Sequence, residues 1–96
     1  MKKNVYLKKT IKNDFELYYL LRNNSKNTNR AGYLKWFNEN FNSKYFFTCF
    51  YSLKKIGYIC GDEKDGVINF TIAMKEKYKQ NNIISQFLKI YETKLK

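Results

Sequence analysis

The residues best placed to do chemistry lie between positions 67 and 95. VINFTIAM reads as a strand, KEKYKQNN as a tight polar turn and IISQFLKIYETKL as a helix. A strand that enters a helix through a short turn leaves the first backbone N–H groups of that helix without partners. The aligned peptide dipoles add partial positive charge at the same point, so such a corner suits a phosphate or pyrophosphate. The turn holds no glycine, although glycine is what lets a backbone approach a phosphate closely. The context points to an anion site, and the side chains of the turn crowd it.

Other chemistries are weaker. The chain has no histidine, which excludes a Ser-His-Asp triad and a Cys-His pair. Cys49 and Cys60 stand far apart with no histidine to join them, so they assemble no usual zinc site. They read as reduced thiols packed as small hydrophobes. Asp62, Glu63 and Asp65 surround Asp65-Gly66, a strong hairpin signal, and read as a solvated turn rather than a carboxylate pair or a metal site. Glu39 and Glu76 are isolated carboxylates that could take a proton from an amine, directly or through water. Tyr45, Phe47, Phe50 and Tyr51, with lysines nearby, could stack on single-stranded bases. Packing in a core is the commoner use of such rings.

The elements that must position these residues come from a short chain. Ninety-six residues make one domain, 1–96, and a chain of this size buries only about 60–65% of the surface its unfolded form exposes. Nine Tyr, eight Phe and one Trp supply the bulk of the core. No apolar run approaches the ~20 residues of a membrane span. MKKNVYLKK has charge without an apolar stretch behind it, so it is no secretory signal, and a cytoplasmic place is expected. The net charge of +11 suggests a phosphate-rich ligand or a nucleic acid. Lysine contributes 17 of the 19 basic residues and asparagine occurs 12 times. Both residue types are favoured by an AT-rich genome, so codon bias could account for part of the charge, and arginine, the preferred fork for bases and phosphates, appears only as Arg22 and Arg30.

Residues 4–11 predict a first, lysine-flanked edge strand with Val5, Leu7 and Ile11 apolar. Asn13 offers an N-cap with Glu16 three residues on, and Phe15, Leu17, Tyr18 and Leu21 follow at helical spacing. Residues 23–29 are polar and read as a loop. Residues 30–40 predict a second helix with Tyr33, Leu34, Phe37 and Phe41 on one stripe and Trp36 beside it; Gly32 weakens it. From Tyr45 the period becomes two: strands are expected at 45–52, 56–60 and 67–74. The last helix shows Ile84, Phe87, Leu88, Tyr91 and Leu95 on one side. The order is βααβββα, an α/β (α+β) arrangement with an antiparallel meander and helices on its faces.

This order resembles the first two-thirds of the GNAT superfamily of acetyl-CoA-dependent N-acetyltransferases. DFELYYLLRNN resembles the opening helix, which in one branch ends in an Arg-Asn pair, here Arg22-Asn23. LKWFNENF is similar to the Trp-containing second helix of that branch. KKIGYI matches a strand opening on Ile-Gly, and VINFTIAMKEKYKQNNIISQFL resembles the fourth strand, pyrophosphate loop and coenzyme helix. The branch acetylates ribosomal-protein N-termini or amino sugars.

The resemblance implies acetyl-CoA as cofactor and a primary amine as acceptor. It implies that backbone groups of Ile72, Ala73 and Met74 pair with the pantetheine arm. Residues Lys79, Gln80, Asn81, Asn82, Ile83, Ile84 and Ser85 would then hold the pyrophosphate. In the family's Arg/Gln-x-x-Gly-x-Gly/Ala motif, Lys79 takes the first position, Asn82 the first glycine and Ile84 the second. Lys79 keeps a positive charge, Asn82 tolerates a positive φ, and Ile84 is a poor shape for close phosphate approach. The family continues with a fifth strand, a further helix and closing strands, which do not follow Lys96 here, so the expectation is an incomplete GNAT-like fold. The usual tyrosine general acid lies in that later part and has no counterpart, which leaves the catalytic acid and base unassigned. The open sheet edge invites a second copy, giving a dimer. The expected function is acetyl transfer from acetyl-CoA to an amine, with an activity weakened or lost. The alternative is a basic, non-catalytic module binding RNA, DNA or a protein partner.

Overall fold

A computed structural model describes residues 4–25 and 29–95. The chain runs β1 (Val5–Lys9), α1 (Phe15–Ser25), α2 (Arg30–Asn40), β2 (Phe47–Tyr51), β3 (Lys54–Lys64), β4 (Val67–Met74) and α3 (Asn81–Lys94). Single 3-10 turns occupy Lys12–Asp14 and Glu76–Tyr78. The four strands form one sheet in the order β1-β2-β3-β4, every neighbour antiparallel. Sheet order equals chain order, so β1 and β4 are the two edges. The βααβββα order and the antiparallel meander read from the sequence are both present. Among the described residues no helix is long and apolar enough to cross a membrane.

Helices cover both faces. On one, Leu7, Phe47, Cys49, Ile59 and Met74 of the strands meet Ile83, Phe87 and Tyr91 of α3. On the other, Phe46 and Tyr58 meet Phe15, Tyr18 and Leu21 of α1 with Phe37 of α2. A strand buried on both sides has no polar face to show. Accordingly Tyr45, Phe46, Phe47, Thr48 and Cys49 are all buried, and an aromatic run, not strict alternation, marks β2 in the sequence. The Asp65-Gly66 hairpin is as expected: both residues have positive φ, 54° and 79°, as a two-residue type I′ turn requires.

Tyr18 ties the second cluster together. Its ring stacks on Tyr58 at 4.0 Å and meets Phe37 edge-on at 5.0 Å; such pairs add about 0.5–1.5 kcal/mol beyond the area they bury. Its hydroxyl bonds Thr10 Oγ1 at 2.8 Å. Beside it Asp14, only 3% exposed, accepts from the Ile11 N–H at 2.9 Å, the Thr48 hydroxyl at 2.8 Å and the Lys55 ammonium. A buried carboxylate is tolerated only with such partners. This one pins the start of α1 to β2 and β3.

That carboxylate also corrects the expected helix start. Asn13 is not the cap; it lies within the first 3-10 turn, and Glu16 turns outward to an ion pair with Arg30. Burial of Asp14 against three donors outweighs a cap from exposed Asn13. The helix then runs on to Ser25, through residues read as loop; positions 26–28 of that loop lie outside the described residues. On α2 only Phe37 is fully buried, while Leu34 and Trp36 remain 38% exposed. On α3 the core face is Ile83, Phe87 and Tyr91, with Ile84, Leu88 and Leu95 half-buried at its margin. The β3 strand is also longer than the expected 56–60, because the hairpin extends to Lys64.

Candidate functional site

The site is built around β4. Among the described residues it is an edge strand that pairs with β3, at this end through Ile72↔Ile59, Ala73↔Tyr58 and Met74↔Gly57. Alternate N–H and C=O groups of an edge strand point away from the sheet. The strand leaves the sheet at Lys75, whose N–H bonds the Ile56 carbonyl at 2.8 Å. It then enters the 3-10 turn and α3. Above this edge lies α1.

Between α1, the β4 edge and the start of α3 opens a cleft of ≈ 420 Å³. Leu21 and Arg22 form one wall, Tyr58 and residues 71–74 the floor, and Glu76, Lys79 and Ile84 the far wall. Five of the ten residues singled out in the sequence therefore meet at one place: Ile72, Ala73, Met74, Lys79 and Ile84. The others do not. Gln80 and Ile83 line a separate cavity of ≈ 620 Å³ with Tyr51, Lys54, Lys77 and Tyr78. Ile83 is 2% exposed and belongs to the core. Asn81, Asn82 and Ser85 are exposed on the first turns of α3. Asn82 makes no use of the left-handed freedom expected of it, since among the described residues positive φ occurs only at Ser52, Asp65 and Gly66.

The cleft continues. A cavity of ≈ 270 Å³ shares Arg22, Tyr58 and Thr71 with it and adds Tyr33, Trp36 and Cys60. A further ≈ 270 Å³ shares Trp36, Cys60 and Thr71 and adds Asn40, Asp62 and Asn69. One groove thus follows the helical side of β4 from Lys79 to Asn69.

Its electrostatics are mixed. Burial raises Tyr58 above the ordinary phenol value, opposed by its hydrogen bond with Tyr33 and by Arg22. Tyr33 is raised too, chiefly by burial. Cys60 is pushed up to about 11 by burial, with Arg22 pulling the other way. Phenols and thiol in the groove are therefore neutral near pH 7. Lys79 pairs with Glu76 at 3.1 Å on the rim, which puts one carboxylate at the cleft mouth. Glu39 is exposed on α2 and takes no part in the cleft lining.

Arg22, Tyr33, Trp36, Tyr58 and Cys60 were not singled out as site residues from sequence. One available signal was Arg22, a rare arginine directly after the buried Leu21. Another was Tyr58 and Cys60 alternating on one face of β3.

The base-stacking set does not form one surface. Tyr45 and Phe47 are buried in opposite clusters, Phe50 stacks on Tyr6 at 5.1 Å, and Tyr51 meets Tyr78 at 5.4 Å. The acids divide as well. Glu63 accepts the Tyr45 hydroxyl at 2.9 Å, Asp65 makes the hairpin, and Asp62 lines the far end of the groove. No family model matches the chain, and no curated protein matches it.

Proposed function

We propose that the cleft holds the thioester arm of acetyl-CoA along β4 and that the chain transfers the acetyl group to a primary amine, an amino sugar or a protein N-terminus. The observation that carries this reading is the meeting of Ile72, Ala73, Met74, Lys79 and Ile84 on one cleft beside a strand edge that no other described strand pairs with. The residues suit such a ligand in kind. An extended arm with amides finds outward backbone donors and acceptors on β4, and a pyrophosphate finds Lys79 on the rim. Ile84 narrows that end, which lowers affinity without closing the cleft.

When bound, acetyl-CoA supplies an activated thioester; the chain supplies position and charge. The outward N–H groups of Ile72 and Met74 would hold the arm and could donate to a carbonyl lying on them, while that of Ala73 faces Tyr58 on β3. Tyr58 stays protonated through the neutral range and can donate to a leaving sulfur. Glu76, at the mouth, can accept a proton from an incoming amine. The acceptor approaches along the groove past Arg22, Tyr33 and Trp36.

A thermal melt with acetyl-CoA tests this. A ligand at 100 times its Kd stabilises the native state by about 2.7 kcal/mol, a shift easily read. No shift at millimolar coenzyme sinks the reading. Retention on RNA that falls steeply as salt rises would put the basic binding module in its place. A shift without turnover on glucosamine or an N-terminal peptide would leave a coenzyme binder without activity.

A further inference from the structure

A cavity larger than the cleft, ≈ 620 Å³, opens on the α3 side of the sheet. Its inner wall is Tyr51, Tyr78 and Ile83, which pack into the α3 core. The two phenol rings meet at 5.4 Å with a tilt of 41°. Both are half-buried, so each keeps part of its ring on the cavity. Leu53, 90% exposed at the tip of the β2–β3 hairpin, borders the same space.

The charge around these rings has one sign. Lys54 and Lys77 line the cavity, and among the described residues no carboxylate does. The neighbouring acids are taken by other lysines, Asp14 by Lys55 and Glu76 by Lys79. Within the described residues Lys54 and Lys77 form no ion pair. The fold sets each of them beside a ring. Tyr51 and Lys54 lie directly opposite one another across the hairpin, so they share one face of the sheet. The turn between them is held by Ser52, whose φ is 55° and whose N–H bonds the Asn4 carbonyl at 2.7 Å. The Lys77 ammonium lies 5.7 Å from the centre of the Tyr78 ring. Gln80 also lines the cavity, and its side chain makes no capping bond to α3. Its amide offers a donor and an acceptor together.

We propose that this cavity binds a nucleoside monophosphate, with the base against Tyr51, Tyr78 and Leu53 and the phosphate between Lys54 and Lys77. A base stacks on such rings through its π face. Lysines without a carboxylate nearby favour a phosphate over a neutral nucleoside. Inorganic phosphate alone would leave the rings and Leu53 in water, and a neutral ring compound would leave the ammonium groups unpaired. Only a ligand with both parts uses the whole wall. Cavities of about 300–1,000 Å³ take ligands of this size. The Gln80 amide suits the edge of adenine, which presents an acceptor and a donor side by side, so adenosine monophosphate is the probe. The site stands independently of acetyl transfer, because it shares no lining residue with the cleft.

Titration with adenosine monophosphate, followed by amide NMR, should saturate. It should move the amides of Tyr51, Ser52, Leu53 and Tyr78 and leave those of residues 69–73 in place. Lys54→Ala and Lys77→Ala should each weaken binding about tenfold, and added salt should weaken it further. Tyr51→Leu, which keeps apolar bulk and removes the ring, should also cost about tenfold. Cooperative melts of the three variants separate a lost site from a lost fold. Adenosine and inorganic phosphate should each bind about tenfold more weakly than the nucleotide, or worse. S-acetylpantetheine carries no nucleotide, so it reads the cleft alone and should not displace adenosine monophosphate. Absence of saturation at millimolar nucleotide overturns the proposal. So does inorganic phosphate binding as tightly as the nucleotide, which would make this a bare anion site. Displacement by S-acetylpantetheine, or shifts confined to residues 69–73, would place the nucleotide in the cleft and overturn it as well.

Discussion

One methyl group, placed in turn at each of the four glycines, should read out the β3–β4 contact. At Gly57 an added Cβ would lie 2.3 Å from the Ala73 carbonyl oxygen, 2.7 Å from the Met74 sulfur and 3.1 Å from Met74 Cα. The sulfur can swing away; the backbone carbonyl cannot, because it belongs to the paired strand. Relief requires β4 to move outward by most of an ångström at the floor of the cleft. Overpacking of this kind costs about 1–3 kcal/mol. The nearby backbone bond from the Lys75 N–H to the Ile56 carbonyl, 2.8 Å, is strained with it, adding about 1 kcal/mol. The total for Gly57→Ala is about 2–4 kcal/mol, or about 8–32 °C in Tm at roughly 4–8 °C per kcal/mol for a domain this small. Gly61→Ala meets the Asn69 carbonyl oxygen at 2.4 Å and should cost a similar amount. Gly66→Ala meets nothing within 4 Å but must hold φ +79°, costing about 1 kcal/mol. Gly32→Ala on α2 meets only the Asn29 side-chain oxygen at 3.7 Å and should stabilise by about 0.5 kcal/mol. Urea melts followed by circular dichroism give all four values. The ranking Gly57 and Gly61 worst, Gly66 mild and Gly32 favourable is the expected result. A Gly57→Ala loss below about 0.5 kcal/mol would refute the register that places Gly57 opposite Met74.

Asp14→Ala strands the Ile11 N–H and leaves the Thr48 hydroxyl only its 3.2 Å bond with Thr10. The Lys55 side chain, 39% exposed, recovers water, so the loss should be about 2–4 kcal/mol by urea melt. Stability should also fall in alkali. Burial raises Cys60 to about 11 and raises Cys49 as well, so the unfolded thiols ionise first. Their contribution is complete below the ordinary thiol range and is lost as pH rises towards 11. Urea midpoints at pH 7 and pH 10 measure this, and Cys60→Ala should flatten the fall. Ile84→Ala opens the far wall of the cleft and should enlarge the acetyl-CoA-induced rise in Tm, while Ala73→Leu, which fills the floor, should abolish that rise.

Much of this architecture is written locally. Asp65-Gly66 fixes a hairpin through its own φ angles, and the uncharged run 67–74 marks β4 to the residue. Residues 30–40 form a helix with the bounds their spacing indicates. What is not local was not legible. Asp14 carries no sign in the sequence that it will be buried, because its donors are 34 and 41 positions away at Thr48 and Lys55. The choice of Ile83 over Ile84 for the core depends on the angle at which α3 crosses the sheet. Two adjacent isoleucines cannot reveal that angle. The site divides in the same way. Residues on β4 and its turn could be named from their context. Arg22, Tyr58 and Cys60 join them only because α1 lies over β3 and β4, a tertiary fact with no local trace.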